Sequence, residues 1–183
     1  ILEFNSRVLA QAEDPKIPLL ERIRFLSIVS SNLDEFFEIR MAGIKEQLSD
    51  NPSKEGSDGR TIAQSYDLVS HHAHALVDRQ YQLYQQVLIP QLRKAGIQFL
   101  LPDYWDKEQR IWAEDFFKEE LFPLLTPIAL DPVHPFPRVI NKSLNFIVQL
   151  EGKDAFGRKA NLAVVQAPRS LPRLVKMPKR LAD

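Results

Sequence analysis

Between Ile62 and Leu88 the apolar residues keep a helical period without interruption. Ile62, Tyr66, Val69, Ala73, Leu76, Val77, Tyr81, Tyr84, Val87 and Leu88 all fall on it. Thr61 opens this stretch. Arg93-Lys94 and then Gly96 close it, a basic last turn followed by a glycine stop. A helix this long with one apolar face must bury that face against other helices. The preceding residues supply them. Phe4, Val8 and Leu9, with Ala12, recur at helical spacing until Asp14-Pro15 ends the segment. From Pro18 onward, Leu19, Leu20, Ile23, Phe25, Leu26, Ile28 and Val29 make a broad apolar face. Residues 1–96 are therefore expected to form a helical domain dominated by two long antiparallel helices.

The stretch Ser30-Ser31-Asn32-Leu33-Asp34-Glu35 is the ambiguous point. Asn32 with Glu35, and Ser31 with Asp34, have the spacing of a capping box, and Ser and Asn favour caps over helix interiors. This predicts a helix ending near Ser30 and another starting near Leu33, carrying Leu33, Phe36, Phe37, Met41 and Ile44 inward as far as Leu48. One unbroken helix over 18–48 is the competing reading. Residues 49–60 are dense in turn formers and read as a polar loop.

After Gly96 the composition changes. Ile97–Leu101 is a short strand candidate. Asp106 caps an amphipathic helix bearing Ile111, Trp112, Phe116, Phe117 and Leu121. Pro123, Pro127, Pro132, Pro135 and Pro137 argue against regular structure across 123–138. Leu144–Leu150 and Leu162–Gln166 are strand candidates, joined by a hairpin loop over Glu151–Lys159. The chain thus reads as α+β: the helical domain at 1–96, then a small and partial α+β domain at 97–183.

Composition excludes several functions. With no cysteine there are no disulfides, thiolate metal sites or Cys nucleophiles. Lys+Arg and Asp+Glu are both 24, so the net charge is zero, which disfavours a general nucleic-acid binder. No apolar run is long enough for a transmembrane helix. The N-terminus lacks the basic and small-residue features of a signal peptide, and without an initiator Met it reads as a trimmed start. Charge is uneven, however. Residues 158–180 carry Arg158, Lys159, Arg169, Arg173, Lys176, Lys179 and Arg180 and no acid. This is either a solvated face or a contact for a polyanion or acidic partner.

No Walker, Rossmann or nucleophile-elbow motif is present. His71 and His74 share a helix face near Asp67 and Asp78, and His72 lies between them. HxxH is short and common, so surface packing competes with a metal site. His134, held among prolines, suits either a structural bond to backbone or acid/base work. Asp34, Glu35 and Glu38 read as acids favouring a helix N-terminus. Asn32, at a helix start, offers an amide that can pair with an adenine edge beside N–H groups that suit phosphate; a simple N-cap is the other reading.

Several segments together resemble the large bacterial polyphosphate kinases (ATP:polyphosphate phosphotransferases). They are Phe4-Asn5-Ser6-Arg7-Val8-Leu9, Pro18 through Ile28, and Ser30-Ser31-Asn32-Leu33-Asp34-Glu35-Phe36-Phe37. In the second half they are Phe122 through Pro137, containing Asp131-Pro132-Val133-His134-Pro135, and Ser143-Leu144-Asn145-Phe146-Ile147-Val148. Ile1-Leu2 stands where the family usually carries Trp-Leu.

The resemblance implies a reversible transfer of the terminal phosphate of ATP to inorganic polyphosphate through a phosphohistidine. It also implies that the chain is the N-terminal domain plus part of the head domain. The phosphorylated histidine and the Mg²⁺ ligands would lie in two C-terminal catalytic domains, so none of these residues is expected to be catalytic or to hold metal. Asn32 occupies the position of the family's ATP-contacting Asn. ATP/ADP, polyphosphate, the C-terminal domains and a second copy of the chain are the implied partners. The implied location is cytoplasmic, with peripheral membrane association left open. A free-standing helical interaction module with no nucleotide role is the competing functional reading.

Overall fold

The computed structural model describes residues 1–130, 135–152 and 162–182. The chain separates into two compact units, 1–99 and 100–183.

The first unit is helical. Helix α1 (Leu2–Glu13) buries Asn5, Leu9 and Ala12. Helix α2 (Leu19–Glu35) runs without a break through a π-helical turn, Phe36–Met41, into α3 (Ala42–Asp50). The expected break at Ser30–Asn32 is therefore absent, and the single-helix alternative is the observed one. The side chains that would compete for local backbone are drawn sideways. The Ser30 hydroxyl accepts from Gln80 Nε2, and Asn32 Nδ2 donates to Asn5 Oδ1 at 3.1 Å. Val29 and Leu33, one turn apart and both buried, carry the apolar stripe straight through. The irregularity instead falls just beyond, at the π turn.

Helix α4 (Ile62–Leu83) opens at Thr61 with a reciprocal capping box to Gln64. It continues through a second π turn, Tyr84–Leu88, into α5 (Ile89–Lys94). Pro90 lies near the start of α5. Proline cannot donate to the ladder and crowds the preceding turn, and the widened π turn just before it relieves that crowding. Gly96, at φ +81°, then closes the helix. The Gly96 N–H donates to Arg93 O and the Ile97 N–H to Leu92 O, the paired bonds of a Schellman stop.

The long helices run antiparallel. Arg22 bonds Gln91, Ser30 bonds Gln80, and Phe36 and Met41 cluster with Ala73, so partner numbers fall as residue numbers rise. Leu9, Ala12, Leu26, Val29, Leu33, Leu76, Leu83 and Leu88 form the main core. Arg22, only 3 % exposed, sits inside the unit. Its Nε donates to Ala12 O at 2.7 Å and its Nη1 to Gln91 Oε1 at 2.9 Å. A guanidinium placed there satisfies the C-terminal carbonyls that α1 cannot satisfy itself. Arg79 ties α4 back to α1 through a forked pair with Glu13 and a 3.0 Å bond to Ser6 Oγ. The hydrogen bond with Glu13 raises the Arg79 pKa above its ordinary value.

The second unit is described by itself. The expected strand at Ile97–Leu101 is not formed: the Ile97 N–H is spent closing the helix, and Pro102 opens a 3₁₀ turn. Helix α6 (Lys107–Phe116) starts at Asp106, whose side chain accepts from Gln109 N at 2.8 Å in a second capping box. A π turn (Phe117–Leu121) and a 3₁₀ turn (Phe122–Leu124) follow.

Strand β1 (Pro127–Leu130) then corrects the expectation that prolines exclude regular structure across 123–138. It is an edge strand with Pro127 at its first residue, a place where a missing N–H costs no ladder bond. β2 (Asn145–Gln149) and β3 (Leu162–Gln166) lie within the expected segments, and the sheet order is β1-β3-β2, all antiparallel. The connection expected as a hairpin loop lies largely outside the described residues, although Gln149 pairs with Leu162 across the ladder.

Candidate functional site

Asn32 lies on the wall of a cleft in the first unit. Its lining is Ile1, Phe4, Asn32, Glu35, Phe36, Ile39 and Arg40, and its volume is about 370 Å³. α1 supplies Phe4, the last turn of α2 supplies Asn32 and Glu35, and the π turn supplies Phe36, Ile39 and Arg40. The extra residue in a π turn shifts the side chains beyond it around the helix, and such turns occur often at functional sites. Sequence reasoning missed this turn, since nothing in Phe36–Met41 distinguishes it from ordinary helix.

The wall is mixed. Phe36 is buried while Phe4 and Ile39 are exposed, giving apolar surface on which a planar group can lie. Asn32 is half-buried and supplies an amide, and Glu35 and Arg40 add one charge of each sign. Behind Asn32 stands Asn5, 1 % exposed, with Nδ2 donating to Val29 O at 3.1 Å and Oδ1 accepting from Asn32.

This geometry revises the chemistry expected at Asn32. It is no N-cap: it lies inside α2, and its side chain donates to Asn5 rather than accepting from a helix-start N–H. The nearby backbone N–H groups are part of the same helical ladder, so no anion-binding helix start exists there. What remains is the side-chain amide on the cleft wall. Asp34, Glu35 and Glu38 are likewise interior to a continuous helix, so favouring a helix N-terminus is not their role.

The other candidates are not brought to the cleft. His71, His72 and His74 are exposed on α4, and His74 Nδ1 lies 2.8 Å from Ser70 O, one turn back. Among the described residues no three His, Asp or Glu side chains gather as a metal site. His134 lies outside the described residues, as do Arg158 and Lys159 of the basic run. Of the rest of that run, the Arg169 guanidinium donates to Asn141 O, and Arg180 lies 3.9 Å from Glu108 with both side chains exposed. No described helix is long and apolar enough to cross a membrane.

Comparison with known proteins addresses the whole chain. Residues 1–100 match the family model described as the polyphosphate kinase N-terminal domain, and residues 108–183 match the polyphosphate kinase middle domain. Polyphosphate kinases of Burkholderia ambifaria and Paraburkholderia phytofirmans are each 58% identical over 182 residues, covering 100% of this chain and 26% of theirs. The crystal structure of polyphosphate kinase from Porphyromonas gingivalis superposes with a TM-score of 0.76 at 28% identity, over 97% of this chain and 26% of that one. The chain therefore spans about a quarter of the length of the relatives it matches. Two consecutive domain matches in family order, carried by the segments that resemble those kinases, establish that the chain belongs to the polyphosphate kinase family.

Proposed function

We propose that the chain serves as the amino-terminal, non-catalytic part of an enzyme that transfers the terminal phosphate of ATP to inorganic polyphosphate, and that its first unit helps cover the nucleotide. The observation that carries this reading is the cleft. It joins the apolar faces of Phe4, Phe36 and Ile39 to one half-buried amide, at the Ser-Asn-Leu-Asp-Glu-Phe motif that resembles the family's ATP-contacting segment. An adenine ring needs such a surface: apolar walls for its faces and a neutral donor–acceptor pair for its edge, read without desolvating a charge. Phe4, Phe36, Ile39 and Asn32 would hold the base, and the bound nucleotide would bring the phosphate to be transferred.

Phosphoryl acceptance and Mg²⁺ binding are assigned to the rest of the protein, in C-terminal catalytic domains. The second unit is assigned a part in dimerisation of a cytoplasmic enzyme. Family membership favours this reading over a free-standing interaction module.

The test is Asn32→Ala in the full-length kinase. Losing one or two amide hydrogen bonds corresponds to a KM for ATP raised roughly tenfold, with kcat nearly unchanged. An unchanged KM withdraws the nucleotide role. Residues 1–183 alone, incubated with labelled ATP and Mg²⁺, are expected to yield no polymer.

A further inference from the structure

Asn5 is nearly inaccessible, does not line the cleft, and yet accepts a hydrogen bond from the Asn32 side chain. Its own orientation is forced. Nδ2 points at the Val29 carbonyl, which can only accept, at 3.1 Å. Oδ1 must then face Asn32, and because Oδ1 can only accept, Asn32 must present its NH₂ there, also at 3.1 Å. The chain Val29 O, Asn5, Asn32 thus fixes which end of the Asn32 amide is which. It leaves Oδ1 and the second N–H of Asn32 as the groups available to a ligand, in one order.

We propose that Asn5 is a positioning residue that locks the Asn32 amide in one orientation and so sets a preference of the cleft for adenine over guanine nucleotides. The inference rests on the nucleotide reading of Asn32 given above. Adenine presents an exocyclic N–H donor beside a ring-nitrogen acceptor. Guanine presents at the corresponding edge a carbonyl acceptor beside a ring N–H donor. A free amide can flip to suit either base. A locked amide suits one, and accepting the other means breaking its bond to a buried oxygen.

The experiment is equilibrium binding of non-hydrolysable ATP and GTP analogues to the full-length kinase, with thermal denaturation measured alongside. Asn5→Ala is expected to weaken the ATP analogue about three- to fivefold and to lower the ATP-over-GTP ratio. Asn5→Asp keeps an acceptor towards Asn32 and is expected to hold the ratio near wild type despite a lowered Tm. In an Asn32→Ala background, Asn5→Ala should add nothing to the loss of ATP affinity. If Asn5→Ala does not fold, Asn5→Ser, whose hydroxyl is too short to bridge both partners, carries the same expectation. A wild-type ratio in Asn5→Ala or Asn5→Ser, together with weakened ATP binding in Asn32→Ala, overturns the lock and keeps the nucleotide reading. Wild-type ATP binding in Asn32→Ala removes that reading and the lock with it.

Discussion

The two units differ in how far they bury their apolar residues. In the first, Leu9, Val29 and Leu88 are fully buried, and the polar groups among them are all engaged: Arg22 on the end of α1, Asn5 between two helices, Gln80 on Ser30. In the second, among the described residues, burial is confined to Ala163 and Val164 on the central strand and to Gln109 and Leu181, which are joined by a hydrogen bond. Phe146, Ile147 and Val148 on β2 are 51%, 68% and 40% exposed, although consecutive strand residues face opposite sides of the sheet. The first unit thus gathers its apolar side chains into a continuous core, while the second leaves most of the apolar residues of β2 exposed. Helices can wrap one shared core, whereas β2 is an edge strand with apolar residues on both faces, and among the described residues neither face is covered.

Matched substitutions test that contrast, and the largest effect belongs to the buried cation. Arg22→Met should cost about 3–5 kcal/mol, because it strands helix-end carbonyls and the Gln91 side chain without a donor. Arg22→Lys should recover little, since one ammonium cannot reproduce the fork. Chemical denaturation measures both. Leu88→Ala should cost about 3 kcal/mol by the same assay. Ile147→Ala on β2 should cost under about 0.5 kcal/mol. Comparable costs at Leu88 and Ile147 would break the contrast.

How much of this was legible in the sequence follows the same division. The stripe from Ile62 to Leu88 and its stop at Gly96 are local chemistry, and the helix and its Schellman end lie where periodicity put them. The Asp106 cap and strands β2 and β3 were equally readable. Ser30–Asn32 misled because cap-forming side chains are ambiguous until their neighbours are known, and here those neighbours, Asn5 and Gln80, are 27 and 50 residues away. β1 was hidden by Pro127, harmless only because that strand lies at the sheet edge. Asn32 was legible as a residue of interest. The cleft around it was not, because it depends on α1 docking beside a π turn.

Smaller effects sharpen the picture of the first unit. Asn32→Ala should cost about 1–2 kcal/mol by stranding Asn5 Oδ1, not by losing a cap. A compensating helix-propensity gain with no net loss would show that solvent reaches Asn5. Gly96→Ala should cost about 1 kcal/mol, since φ +81° is unfavourable for any residue with a Cβ. Arg79→Met should cost about 0.5–1 kcal/mol at low salt and less at high salt, because the pair with Glu13 is partly exposed. The Arg79 pKa is raised by that carboxylate, so its contribution is present below the unfolded-state value and lost only as pH rises through the higher folded one. No pH dependence from Arg79 is expected near neutrality, and a pH scan of Tm for wild type and Arg79→Met checks it.

The central claim, that the Asn32 cleft covers the nucleotide base, is tested most directly by photolabelling the full-length kinase with 8-azido-ATP and mapping the labelled peptides. Label on the α1 segment containing Phe4 or on the segment from Asn32 to Arg40, suppressed by excess ATP, is the predicted result. ATP-protected label confined to peptides beyond residue 183 would contradict it.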